Sequence, residues 1–170
     1  IATLREYETA LLDHYHALMY AKLGIINPQP DDQKLITDLI GLLSANHPDY
    51  SIFFRRLSHD DPVQSMAPIA DLFIDRESAR GWLERYRARI QQQPLKSHAR
   101  HQTMLAHNPK YILRNYLAQN AITKAEEGDF SEVEKLRQLL SQPFAEQPEH
   151  EKYADFPPDW GKSLEISCSS

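Results

Sequence analysis

Apolar side chains recur every three or four positions along most of this chain, the period of an amphipathic helix. The clearest run spans residues 107–140. Asn108 is placed to cap a helix whose first turn holds Pro109, where a missing N–H costs nothing. Ile112, Leu113, Tyr116, Leu117, Ala121 and Ala125 follow as its apolar stripe, and Gly128 suits a left-handed stop. Ser131 and Glu134 then have capping-box spacing and open a second helix carrying Val133, Leu136, Leu139 and Leu140. The pattern predicts a helical hairpin.

Upstream, Thr3 and Glu6 have the same capping-box spacing, and a long helix is predicted over 3–23. Its buried stripe would be Leu4, Tyr7, Leu11, Tyr15, Leu18 and Met19, with Gly24 as the stop. Pro28 and Pro30 break the chain before Asp31 or Asp32 caps a second helix. That helix buries Leu35, Ile36, Leu39, Ile40, Leu42 and Leu43, and Asn46, His47 and Pro48 end it. Residues 50–57 hold Ile52, Phe53 and Phe54 in a row, which also fits a short strand. No other stretch offers a partner strand, so a helix is predicted. A turn over 60–65 leads to a short helix over 66–73 with Pro68 in its first turn. A clearer helix over 77–91 aligns Trp82, Leu83, Tyr86 and Ile90, and residues 94–107 are weakly patterned. Beyond Pro143 the periodicity fades and proline accumulates, which reads as an extended strap anchored by Phe144, Tyr153, Phe156 and Trp160. The fold class is therefore all-α: an irregular helical bundle over 1–142 with a Pro-rich extended tail over 143–170.

Composition narrows the function classes. A net charge of −5 and a pI near 5.9 argue against nucleic acid, which needs a basic face. No apolar run approaches the roughly 20 residues that span a bilayer, so no membrane partner is expected. The single cysteine, Cys168, excludes an internal disulfide framework and suits a reducing cytoplasm. The first residues lack both a start Met and a signal-peptide core, so Ile1 reads as a boundary inside a longer protein.

The chain offers no convincing catalytic constellation, and no catalytic, cofactor-binding or metal-ligating residue is assigned in it. Gly24, Gly41, Gly81, Gly128 and Gly161 are scattered, so no loop cradles phosphate. Asp129-Phe130-Ser131 is close to a kinase metal-binding triplet, but Ser replaces Gly and the setting is a helix-to-helix turn. His98 and His101 are spaced to share a metal on a helix, with His107 nearby, yet no Cys or carboxylate partner accompanies them. Arg76, Arg80, Arg85, Arg87 and Arg89 suggest a phosphate site, but they spread round the helix and read as a solvated face.

Three segments carry a family resemblance. NPKYILRNYLAQNAI from Asn108, EEGDFSEVEKL from Glu126, and QPFAEQPEHEKYADFPPDWGKSLEISCSS from Gln142 resemble the C-terminus of the selenoprotein O (SelO) family. YHALMYAKLGI from Tyr15 and DYSIFFRRLS from Asp49 resemble the same family. The resemblance implies a protein adenylyltransferase of kinase-like, pseudokinase-type fold, which transfers AMP from ATP to protein hydroxyl groups with a divalent metal such as magnesium. The ATP site, metal ligands and catalytic Asp would precede Ile1. This chain would be a helical region packed on that kinase-like domain, inactive alone and prone to self-association once separated from it.

The resemblance also singles out Cys168 as a candidate redox or disulfide residue. In some members selenocysteine stands third from the end, with a Cys three residues earlier; here Glu165 occupies that earlier place. The plainer reading is a free thiol near a chain terminus. A stand-alone α-helical module that grips a protein partner in a groove is the alternative to the family reading as a whole.

Overall fold

The computed structural model describes residues 2–59, 66–93 and 97–166, with the side chains of 2–5 and 97 excepted. The expected turn over 60–65 and Cys168 lie outside the described residues, as do the side chains of Thr3, the expected cap, and Leu4. All regular structure among those described is helical: α1 (Ala2–Leu23), α2 (Pro30–Asn46), α3 (Tyr50–His59), α4 (Ala67–Ala70), α5 (Arg76–Gln91), α6 (Ser97–His107), α7 (Asn115–Glu126) and α8 (Ser131–Ser141). Two short 3-10 helices follow, at Pro148–Tyr153 and Asp159–Gly161. The chain divides into two compact units, Ile1–Asn108 and Pro109–Ser170.

The first unit is built around α3, whose Ile52, Phe53, Phe54 and Leu57 are all buried. Three consecutive large apolar residues cannot share one strand face, but a helix surrounded on several sides buries them all. The Phe53 ring meets Phe54, Phe73 and Trp82 at centroid distances of 5.0, 5.4 and 6.3 Å, each edge-on. Trp82 and Tyr86 of α5 stack at 5.2 Å and satisfy their polar tips on backbone: Trp82 Nε1 donates to the Leu35 carbonyl, Tyr86 Oη to that of Leu23. Gly24 ends α1 at φ +63°, and a Cβ there would lie 2.6 Å from Arg100 Cγ, so only glycine lets α6 close on this turn. The weakly patterned stretch proves to be helix α6, whose buried face is carried by Arg100 and Met104.

Several expectations for this unit fail, among them the burial of Ile40 in α2, which is 37% exposed, and the short helix over 66–73, which spans only Ala67–Ala70. The predicted stripe of α1 is uncovered: Tyr7 is 66% exposed, Leu11 54%, Tyr15 40% and Leu18 42%, and only Met19 and Leu23 enter the core. Amphipathic spacing reports that a helix has an apolar face, not that its partner lies in the same unit. The α2 helix starts at Pro30, and Asp32 is its third residue rather than its cap, accepting from the Gln29 N–H at 2.7 Å.

The second unit holds the hairpin of α7 and α8, with Tyr116, Leu117, Ala121, Leu136 and Leu139 buried between them and the strap. Its first helix begins at Asn115, so Asn108 is no cap and Leu113 is 56% exposed. Residues 109–114 form no regular structure, and the N–H groups of Lys110 and Tyr111 both donate to the Pro143 carbonyl. That alternative satisfies backbone that a helix beginning with Pro109 would leave unpaired at its first turn. Ser131 makes no capping box either: Phe130 stands at the cap, and Asp129 accepts from the Ser131 N–H at 2.9 Å. Of the four expected strap anchors only Tyr153 is buried; Phe144, Phe156 and Trp160 remain partly open.

The strap is nonetheless closely fitted. Tyr153 Oη donates to Glu132 Oε1, Tyr111 Oη donates to the Gln147 carbonyl, and Lys110 Nζ reaches Glu146 and Glu151. A Cβ on Gly161 would stand 2.7 Å from Tyr116 Cβ, which fixes glycine at that crossing.

Candidate functional site

The residues singled out for chemistry do not converge. His101 Nδ1 lies 2.6 Å from the Ser58 carbonyl and its ring meets His59 edge-on at 5.3 Å, while His107 Nδ1 pairs with the Thr103 carbonyl in its own helix. His98 faces solvent. Among the described residues no three His, Cys, Asp or Glu side chains come together as a metal site. Asp129 serves the interhelical turn, and its hydrogen bonds from Ser131 hold its carboxyl below the ordinary carboxylate value.

The arginines of α5 mostly brace α5 against neighbouring elements. Asp32, 1% exposed, accepts from Arg89 Nε at 2.7 Å and Arg89 Nη2 at 2.9 Å. One turn along, Arg85 Nη1 donates to Asp38 Oδ2 at 2.6 Å, with Lys34 on the same carboxylate at 3.1 Å. Hydrogen bonds from Arg85 and then Lys34 hold the Asp38 carboxyl below its usual range. Beside this pair opens a groove of about 470 Å³, floored by Leu42 and Trp82 and kept clear by Gly41 and Gly81. The sequence reading of a solvated arginine face missed the Asp32–Arg89 pair. The signal available was an acid in the first turn of α2 and a basic residue near the end of α5, opposed once the helices pack antiparallel.

A second polar cluster closes the C-terminus of α6, where helical carbonyls lack partners and the dipole favours cations. Buried Arg55 donates to the Leu105 and Asn108 carbonyls at 3.3 and 2.9 Å. Lys22 Nζ donates to the His107 carbonyl and sits 4.6 Å over the Phe54 ring; burial lowers its pKa. Fully buried Asn108 donates to the Lys22 carbonyl at 2.8 Å and to Ser58 Oγ at 2.9 Å. Asn108 Oδ1 is buried without a hydrogen-bond partner, and the remaining contacts of the cluster fix α1, α3 and α6 to one another.

What remains uncommitted is a surface. Every side chain of α1 from Glu6 to Tyr15 is exposed, among them Tyr7, Leu11, Leu12 and Tyr15. Tyr50 continues this apolar face from the start of α3, 45% exposed and packed 4.6 Å from the Phe54 ring. No described helix is long and apolar enough to cross a membrane, so the face is not part of a spanning helix among the described residues.

Comparison with known proteins places these features in a longer frame. The family profile described as Protein adenylyltransferase SelO matches residues 1–141. The protein nucleotidyltransferase YdiU of Pseudomonas fluorescens is 51% identical over 158 residues, covering 92% of this chain and 32% of the relative. Its namesakes from Vibrio parahaemolyticus and Herminiimonas arsenicoxydans are 48% and 49% identical over 98% of this chain, and 35% and 34% of their own lengths. The chain thus spans about a third of the curated relatives it matches.

Proposed function

The chain belongs to the SelO family of protein adenylyltransferases, and from that membership we propose that it is the helical C-terminal third of an enzyme that transfers AMP from ATP to Ser, Thr or Tyr hydroxyls of other proteins. The observation that carries this reading is the near-complete match of this chain to nucleotidyltransferases about three times its length. ATP and magnesium are the groups the family implies. Among the described residues no three His, Cys, Asp or Glu side chains come together to hold a metal, and the acids nearest the α5 arginines are taken up in ion pairs, Asp38 with Arg85 and Asp32 with Arg89. The role assigned to this region is to support the kinase-like domain and to help shape the approach of a protein substrate, in the cytoplasm.

The test is AMP transfer from labelled ATP by the full-length protein, with and without residues 1–170. Transfer that requires this region, together with no saturable ATP binding by the region alone, is the expected result. Micromolar ATP binding by the 170-residue chain in calorimetry would overturn the non-catalytic assignment. Under the same reading Cys168 is a candidate for an oxidant-driven disulfide with a cysteine of the preceding domain, which intact mass and thiol labelling of the full-length protein would detect.

A further inference from the structure

We propose that the exposed face of α1, formed by Tyr7, Leu11, Tyr15 and Leu18 and continued by Tyr50, is the seat of the polypeptide that precedes this chain in the longer protein, and that this segment meets it with an apolar surface. The inference rests on the family reading above and adds to it where the seam runs.

The argument begins with stability. At 1.5 Å per residue, α1 is about 33 Å long, and its side chains from Glu6 to Tyr15 are exposed within the unit. Helices of fewer than about 12–15 residues are marginal in water on their own, and most helical stability comes from packing an amphipathic face. A helix meant for solvent would carry polar residues all round. This one places Tyr7, Leu11, Tyr15 and Leu18 at spacings of four, four and three, a single apolar stripe. The stripe is continuous with the established core, because Tyr50 lies beside it and packs on Phe54. Burial, and secondarily nearby Tyr15, push the Tyr50 phenol up, consistent with a shared patch.

The length of the relatives chooses the occupant. They carry about two-thirds of their length outside the part this chain matches, and the resemblance puts that part upstream. It would join at the Ala2 end of α1.

Hydrogen exchange on the full-length protein tests the proposal, reading the peptide over 6–18 against α5 (Arg76–Gln91) as an internal core reference. Protection of 6–18 within about tenfold of α5, independent of protein concentration, is expected. Exchange of 6–18 near the rate of an unstructured peptide would overturn it. So would protection that appears only as the protein dimerises in sedimentation, since the occupant would then be a second copy. Leu11→Asp should abolish the protection of 6–18 while α5 stays protected, and Leu11→Met should retain it. Should Leu11→Asp fail to fold, Tyr7→Ala reads the same contact more gently, and unchanged protection there would count against the proposal. AMP transfer measured on the same preparation separates the two ideas. Protection without transfer sinks the proposed activity alone, and transfer without protection sinks the seam alone.

Discussion

Single residues in this chain mostly serve as fasteners, and Tyr86 shows how such a role becomes measurable. Its phenol is fully buried, donates to the Leu23 carbonyl at 2.7 Å and accepts from Arg100 Nη1 at 3.1 Å. Burial pushes its pKa up to about 12, with the Arg100 cation pulling the other way. The unfolded chain would ionise this group near pH 10. The folded-state value is the higher one, so its contribution is complete below pH 10 and is lost as the pH rises towards about 12. Tyr86→Phe should cost about 1–3 kcal/mol at neutral pH by leaving buried partners unsatisfied. Its denaturant-derived stability should also fall less steeply than the parent's between pH 10 and 12; equal slopes would contradict the assignment. At this scale the sequence disclosed the backbone punctuation at Gly24 and Gly128, because positive φ restricts the choice of residue. It did not disclose that Asp32 faces Arg89 or that Arg55 closes α6, since those pairings join residues 57 and 53 positions apart through packing alone.

At the scale of elements, periodicity located the helices better than it located their ends. The hairpin is where the residue pattern says, yet its first helix starts at Asn115 because residues 109–114 find their hydrogen-bond partner in Pro143. Local capping preference lost to a backbone pairing more than thirty residues away. The difference is testable across one helical turn. Leu117, buried against Leu136 and Leu139 in the hairpin core, should cost about 2–5 kcal/mol when replaced by Ala. Leu113→Ala should change stability by less than about 0.5 kcal/mol, because its side chain is already largely in water. Comparable losses at both positions would mean that residues 109–114 are helical after all. Helix α1 fails in the opposite sense: its apolar pattern was read correctly and its burial was not, since a pattern carries no information about which chain supplies the other half of the contact.

For the whole molecule, the all-α class was legible, and so was the change of character after Pro143. Less legible was the division at Asn108, because no run of Gly, Ser or charge marks it. Each apolar core is drawn wholly from one unit: Phe53, Trp82 and Tyr86 anchor the first, Leu117, Leu139 and Tyr153 the second. Substitutions with no shared neighbours add. Phe53→Ala and Leu117→Ala should therefore sum to within about 0.5 kcal/mol in the double variant, read by equilibrium denaturation. A larger departure would show that the cores are energetically linked. The candidate site was the least legible feature of all, because it consists of an uncovered surface rather than a motif.

The strap gives the second core a particular order of assembly in time. Tyr153 completes that core and Leu164 packs on it, both well downstream of the hairpin they cover. During synthesis the chain lengthens by about 5–20 residues per second, so the stretch from Pro143 to Leu164 takes roughly one to four seconds more to emerge. Through that interval the faces of α7 and α8 that await the strap stay bare, while everything the first core needs has already left the ribosome. A nascent second unit is thus a short-lived client for whatever binds exposed apolar helices, and a message cut short after the hairpin would leave it one permanently.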